Sequence, residues 1–341
     1  MRTHLQGLLE TRLKLEHQDA KGQGNLSPVS RPVFITGMPR SGSTFLHELL
    51  MQEHALRAPC VWEVLSATTA SRPDRGWSDS RVWRTALCLW FFRLLVPGAD
   101  TVYPMRARTP QECVAIHSHT FLSEEFNSSC FIPSYANFLR STDLSPAYAW
   151  QKRFLQRLQC NRPEARWVLK SPDHARSMEA LFAVFPDALV IHTHRNPLES
   201  LRSTIHLTEV LRRLYARPQN LETLAECEAQ NLAFGAARIM QFRDNHPELA
   251  NHFVDVNYSE LAANPLATVR RVLRHFDIPL PTEAVRRIER MSRCRSAYKG
   301  RRAARSLTDM GLDMGSCKSL FSDYCRRFGI SFGRAGVNQA Q

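Results

Sequence analysis

No stretch of this 341-residue sequence stays apolar for the roughly 20 residues that a bilayer-crossing helix needs, which excludes a transmembrane segment. The most apolar run, Leu87-Cys88-Leu89-Trp90-Phe91-Phe92, is broken by Arg93 and stops at Pro97-Gly98. It reads as a buried helix, with contact to a membrane surface or a lipid substrate as the second reading. Met1 to Ala20 is charged throughout and lacks the apolar core and small-residue cleavage site of a signal peptide, so it is expected to form a short surface helix. The nine cysteines include no C-x-x-C pair and no Cys/His set at zinc spacing. Their odd number argues against a disulfide framework, so reduced thiols and a cytoplasmic location are expected. Internal repeats and low-complexity tracts are also missing, which excludes solenoid and linker-like architectures.

A hydrophobic content of 43% is enough for a large core, in one sizeable α/β domain or two smaller ones. The balance of 45 Lys and Arg against 32 Asp and Glu leaves a formal charge of +13 and points to an anionic partner without choosing its chemistry. Residues 1–30 read as the N-terminal helix and a Gly/Ser/Asn/Pro-rich linker. From residue 31 the chain alternates short apolar runs with helical periodicity. Pro32 to Thr36 reads as a strand leading through a glycine loop into a helix that begins near Thr44. Further strands are expected at Arg166–Leu169, Ala188–His192 and His252–Val256, with amphipathic helices after them. Continuous apolarity in Ala188–His192 fits the interior of a parallel sheet. The predicted fold is therefore α/β, of the P-loop type, with three layers and a central parallel sheet flanked by helices. Residues 65–160 read as a mostly helical insertion on the substrate side, and 291–341 as a C-terminal closing segment.

Gly37-Met38-Pro39-Arg40-Ser41-Gly42-Ser43-Thr44 lies between the first strand and helix. Such a turn aims backbone N–H groups and the positive helix end at one point, which suits a phosphate. The pattern nearly matches G-x-x-x-x-G-K-[ST], but Ser43 stands where a nucleoside-triphosphatase has its lysine. The loop's cation is Arg40 instead. A second strand-turn-helix unit carries Lys170-Ser171-Pro172-Asp173-His174, and a third carries His194-Arg195-Asn196-Pro197 followed by Ser203.

With these three motifs, from about Pro32 to Ile330, the sequence resembles the sulfotransferases that use 3′-phosphoadenosine-5′-phosphosulfate. It is most similar to the bacterial-type group and more distantly to tyrosylprotein sulfotransferases. The resemblance implies a sulfuryl donor as co-substrate, no metal, and a hydroxyl-bearing acceptor (less readily an amine) among small molecules, glycans or lipids. It assigns the donor to Pro39, Arg40, Ser41, Gly42, Ser43 and Thr44, with Arg195 and Ser203 on the 3′-phosphate. Arg40 and Lys170 are the candidate cations at the transferred group. Lys299-Gly300-Arg301-Arg302 is similar to the family's closing segment, which would add Arg301 and Arg302 to the donor site. Glu63 matches the position of the general base in related enzymes, and His117 and His119 are the counterparts of a histidine base used elsewhere in the family. Peripheral membrane contact is compatible with this reading, nucleic-acid binding is not expected, and oligomeric state is not legible. Trp77, Trp83, Trp90, Phe121, Phe126 and Tyr135 allow an apolar or ring-bearing acceptor.

Two other classes share some of these features: a P-loop small-molecule kinase using ATP and magnesium, and a non-catalytic polyanion binder. Calorimetric titration separates the three. Adenosine 3′,5′-bisphosphate is expected to bind in EDTA-containing buffer. Magnesium-dependent ATP binding would instead assign the loop to a kinase, and steeply salt-dependent heparin binding alone to the polyanion binder.

Overall fold

The computed structural model describes residues 1–22, 27–67, 79–95, 105–159, 162–213, 220–296 and 305–332. The elements run α1 (Arg2–Ala20), β1 (Val33–Gly37), α2 (Ser43–Leu50), β2 (Leu56–Arg57), α3 (Val61–Leu65) and α4 (Ser80–Leu95). Then come α5 (Cys113–His117), α6 (Glu125–Ser129), α7 (Pro133–Ser141), α8 (Ser145–Gln159), β3 (Arg166–Lys170), a 3₁₀ turn at Pro172–Arg176, and α9 (Met178–Val184). The last third carries β4 (Leu189–His194), α10 (Pro197–Arg212), α11 (Leu221–Asn245), β5 (Phe253–Asn257), α12 (Tyr258–Ala263), α13 (Pro265–His275), α14 (Thr282–Ser296), α15 (Met314–Leu320) and α16 (Ser322–Phe328).

The sheet has five strands in the order β2-β3-β1-β4-β5, and every pairing is parallel. All four expected strands form, displaced by no more than a residue or two. The fifth, β2, is two residues long and pairs only with β3, too short to leave a periodic signal. Alternation sorts side chains to the two faces. Phe34, Leu169 and Val190 pack with Phe154, Leu181 and Phe242 of α8, α9 and α11, whereas Ile35, Val168 and Ile191 pack with Leu46, Leu49 and Val272 of α2 and α13. This double cover is why the strands read as unbroken apolar runs. A third cluster joins α10 and α11 to α15 and α16 through Leu201, Leu232, Phe321 and Tyr324.

α1 docks on the rest of the chain: Leu15, 1% exposed, enters the first core cluster, and Arg153 and Arg157 of α8 pair with Glu16 and Asp19. Since β1 is central, the chain leaves it for β2 and β3 on one side and for β4 and β5 on the other. The carboxyl end of β1 is therefore the point where a ligand crevice opens in this type of sheet.

Several histidines are buried as neutral rings around this point. Burial, with the Lys170 charge, lowers His47 to about 3, and burial lowers His117 to about 4. His174 and His192 are pushed well below the usual value, again chiefly by burial. A histidine whose folded pKa is depressed contributes stability above its unfolded value near 6.5, and that contribution is lost as pH falls through the folded value. A smaller set opposes, because burial raises the carboxyls of Asp173, to about 6, and of Glu228, and their contribution is lost as pH rises. The histidines outnumber it, so the unfolding free energy from urea titrations should fall between about pH 6.5 and pH 4, by at most about 1.4 kcal/mol per pH unit for each histidine. His117→Gln should flatten that slope by one histidine's share; a midpoint insensitive to pH over this range contradicts the assignment.

Candidate active site

Gly37 ends β1 with φ of 135°, and an added Cβ would stand 2.2 Å from the Thr193 carbonyl oxygen on β4. Gly42 caps α2 with φ of 89°, where an added Cβ would stand 2.8 Å from Cδ2 of the Tyr258 ring. Only glycine supplies both the left-handed backbone and the close approach. Arg40 is also left-handed, at φ 65°, and its carbonyl accepts from Arg195 Nη1 at 2.9 Å. The Ser41 hydroxyl is fully buried, 2.6 Å from Met38 O and 2.6 Å from Thr193 Oγ1, so it braces the turn from inside. The turn leaves the first N–H groups of α2, including those of Ser43 and Thr44, without intrahelical acceptors at the mouth of the crevice. With Pro39 half-exposed and Thr44 exposed on its rim, the cradle fits a phosphate ester.

Two basic groups flank the cradle. On one side Arg40 Nε donates to Ser203 Oγ at 3.0 Å, and Arg195 lies 4.3 Å over the Tyr258 ring. Arg195 also forms an ion pair with Glu199 at 2.7 Å. Arg195 is brought here because β4 ends beside β1 with Gly37 opposite Thr193, and Asn196 caps α10 by accepting from Leu198 N at 2.9 Å. On the other side Lys170 ends β3 opposite Ile35, buried to 3% exposure. Its ammonium donates to Thr44 Oγ1 at 3.1 Å and forms an ion pair with Glu112. Sequence reasoning passed over Glu112; it lies 58 residues from Lys170, and no local pattern marks it.

Glu112 precedes α5, and that helix leads into a cavity of about 180 Å³ lined by Val114, His117, Leu139, Tyr148, Asp173 and Arg176, among others. Arg176 Nη1 pairs with Glu124 at 2.6 Å at its wall. His117 Nε2 donates to Gln151 Oε1 at 2.7 Å. His119 does not reach the cavity: its Nδ1 is 3.0 Å from Ile116 O, and its ring packs by Trp150 and Phe154. Glu63 is buried, with Oε1 accepting from Arg57 Nη2 at 2.9 Å and Oε2 from Cys60 N at 2.8 Å, so both oxygens hold the start of α3. Arg301 and Arg302, like Trp77, lie outside the described residues.

His192, His194 and Asp255 bring three ligand-type atoms within 4.8 Å of one another on β4 and β5. Arg243 grips Asp255 there with bonds of 2.7 and 3.0 Å, and Tyr324 Oη lies 2.9 Å from His194 Nδ1. A guanidinium on the carboxylate and a phenol on the ring make this a polar network that fastens α16 to the sheet.

A glycine cradle at the switch point of a parallel sheet, with a lysine on one flank and two arginines on the other, makes this an α/β protein whose crevice suits a phosphate. The chain belongs to the sulfotransferase family, whose pattern matches residues 32–282. It is similar to the omega-hydroxy-beta-dihydromenaquinone-9 sulfotransferases Stf3 of Mycobacterium bovis and Mycobacterium tuberculosis, each 25% identical over 262 residues, covering 72% of this chain and 63% of the relative. The chain thus spans less than two thirds of the length of those relatives. Among solved structures, sulfotransferase STF1 from Mycobacterium tuberculosis H37Rv superposes with a TM-score of 0.82 at 28% identity, covering 94% of this chain and 85% of that one. Sulfotransferase STF9 from Mycobacterium avium gives 0.82 at 26% identity, covering 96% and 85%.

The cradle's geometry is testable without any ligand. Gly37→Ala must displace Thr193 and is expected to lower unfolding free energy by about 2–4 kcal/mol in urea titrations. Gly7→Ala on α1, where a Cβ meets nothing within 4 Å, is the control and should be neutral or stabilising. Equal midpoints for the two variants would contradict the close approach of β1 and β4.

Proposed function

We propose that this protein transfers a sulfuryl group from 3′-phosphoadenosine-5′-phosphosulfate to the hydroxyl of an apolar acceptor. The observation that carries the reading is Lys170, buried beside the cradle with its ammonium on Thr44 and with a carboxylate, Glu112, as its second partner. Pro39 to Thr44 hold the phosphosulfate end through the N-terminus of α2, with Arg40 and Lys170 as the cations at the transferred group, and Arg195 and Ser203 hold the 3′-phosphate. In the proposed complex Arg195 exchanges part of its contact with Glu199 for the phosphate. Arg301 and Arg302 belong to the same donor site by their family position. The unit from residue 31 onward is the catalytic domain, and the helical insertion within 65–160 is its acceptor side.

The donor supplies an activated sulfuryl group on a phosphate leaving group. Lys170 lowers the barrier by meeting the negative charge that grows on the oxygens at the transfer point, a role a preorganised cation fills well in a dry site. The acceptor oxygen forms its bond to sulfur as the bond to the leaving phosphate breaks, and the acceptor proton must go to a base in reach. Glu112 is the carboxylate held at Lys170, and we assign it that proton. Glu63, expected at this role from its sequence position, uses both oxygens on Arg57 and Cys60 N. His117 has a neutral ring whose pKa of about 4 makes it a weak acceptor.

An apolar acceptor is supported by the hydroxylated menaquinone in the names of the curated relatives, and the cavity sets Val114, Leu139 and Leu144 among polar and charged side chains. The seven described cysteines are free thiols, in keeping with the cytoplasmic location we assign.

Radiolabelled donor screened against lipid, phenol and sterol hydroxyls tests the activity. With an accepted substrate, Lys170→Ala should lower turnover by about 10²–10³-fold. Glu112→Gln should lower it by about 10²–10⁴-fold with affinity for adenosine 3′,5′-bisphosphate intact. Glu63→Gln is expected to act first on thermal stability. Near-normal turnover in Glu112→Gln together with loss in Glu63→Gln would return the proton to Glu63.

A further inference from the structure

α4 has two apolar faces where a surface helix needs one. Val82 and Leu89 are buried, Val82 with Trp62 and Ala107, and fix the helix to the protein. On the opposite side Trp83, Leu87, Trp90, Phe91 and Leu94 recur at i, i+4, i+7, i+8 and i+11, one stripe by helical period, and each is at least half exposed. With Leu95, α4 holds six of the fourteen exposed large apolar side chains among the described residues. A contiguous aromatic and aliphatic stripe of this kind marks an interaction surface, whereas scattered exposed residues do not.

The charge around the stripe selects the partner. α4 contains no acidic residue; Arg81 is paired with Asp79 just before the helix, and the arginines beside the stripe are Arg84, exposed, and Arg93, half-buried, in a chain of formal charge +13. Helical period sets Arg84 and Arg93 on opposite flanks of the stripe. Exposed Trp and Phe between arginines is the composition of a helix lying in the headgroup plane of an anionic bilayer. The alternatives fit less well: α4 is too short and too charged to span a bilayer, and none of the described helices is long and apolar enough to do so. We infer that α4 is an in-plane anchor that docks the protein on an anionic phospholipid surface, its exposed stripe buried among the acyl chains.

The anchor is connected to the reaction site. α4 packs on α3, whose Val61 and Trp62 N–H groups donate to Thr109 O at 3.1 Å and Ala107 O at 3.0 Å. That segment continues through Gln111, whose N–H donates to Pro59 O at 2.7 Å, directly into Glu112 at Lys170. A bilayer beneath α4 therefore lies on the acceptor side and can deliver an acceptor whose hydroxyl stands at the membrane surface. Docking follows from the surface of α4 alone; only this delivery step rests on the proposed sulfuryl transfer.

Co-sedimentation with vesicles reads docking without any enzyme assay. The full-length protein should bind vesicles of phosphatidylcholine with roughly 30% phosphatidylglycerol far better than phosphatidylcholine alone, and lose binding as salt rises. Trp83→Ser/Trp90→Ser/Phe91→Ser should weaken partition by about tenfold or more. Arg84→Glu should weaken binding to the anionic vesicles only. Unchanged circular dichroism and unchanged adenosine 3′,5′-bisphosphate affinity show that the variants fold. Failure of the native protein to bind anionic vesicles, or equal binding by the triple variant, overturns the inference. So does a concentration-dependent dimer in sedimentation equilibrium that the triple substitution dissolves without any vesicle binding, since the stripe would then belong to a second copy of the chain. Loss of sulfuryl transfer with vesicle binding intact would count against the proposed function and leave the anchor standing.

Discussion

Gly37 stands so close to β4 that no side chain could fit between its Cα and the Thr193 carbonyl. Because β1 and β4 meet in this way, the turn after β1 can fold back over the sheet, and Ser41 can reach Thr193 from inside the loop. Arg195, two residues past Thr193, is delivered by the same contact to the carbonyl of Arg40. The geometry of the glycine cradle and the position of one of its flanking cations thus share a single backbone approach. On the other flank the parallel register of β1 with β3 puts Lys170 opposite Ile35, within reach of Thr44. A central strand with parallel neighbours on both sides converts three separate sequence motifs into one site.

Electrostatics divides that site into two parts. Arg40, Arg195 and Ser203 form an open clamp whose partners, Glu199 and the Tyr258 ring, are themselves solvent-facing enough to yield to a phosphate. Lys170 and Glu112 form a buried pair, and an ion pair taken out of water persists only with good geometry and further hydrogen bonds, which Thr44 supplies. Affinity for a bis-phosphorylated donor suits the first arrangement. Charge stabilisation and proton transfer suit the second. Behind the pair, burial holds His117 and His174 neutral beside Tyr148, whose hydroxyl lies 2.7 Å from His174 Nδ1. Around them the cavity wall carries charged side chains of both signs, Asp173, Glu124 and Asp143 beside Arg140, Arg176 and Arg238.

How much of this was legible varied with chain distance. The four main strands, the glycine turn and the basic residues that follow β3 and β4 were readable because each signal is contiguous: an apolar run, then a turn, then a charge. Glu112 was not, because its meaning comes from Lys170, and nothing within its own segment distinguishes it from any helix-preceding glutamate. Glu63 shows the opposite case, a residue whose position suggests chemistry while its surroundings, Arg57 and the first turn of α3, occupy both oxygens. The run at Leu87–Phe92 reads as buried, and one side of the helix that contains it is: Leu89 faces the protein, while Leu87, Trp90 and Phe91 face outward. Helical periodicity shows that a helix has two apolar sides, but not which of them the rest of the chain covers.

The sequence by itself determined the class of fold and the glycine turn with its basic flanks, since parallel strands and glycine loops are written in short local patterns that any compact arrangement must respect. Tertiary structure decided the rest: which carboxylate meets Lys170, which histidines are sealed into the core, and which stripe of α4 stays exposed. Those outcomes depend on contacts between segments tens of residues apart, and on burial, which no single stretch of chain specifies.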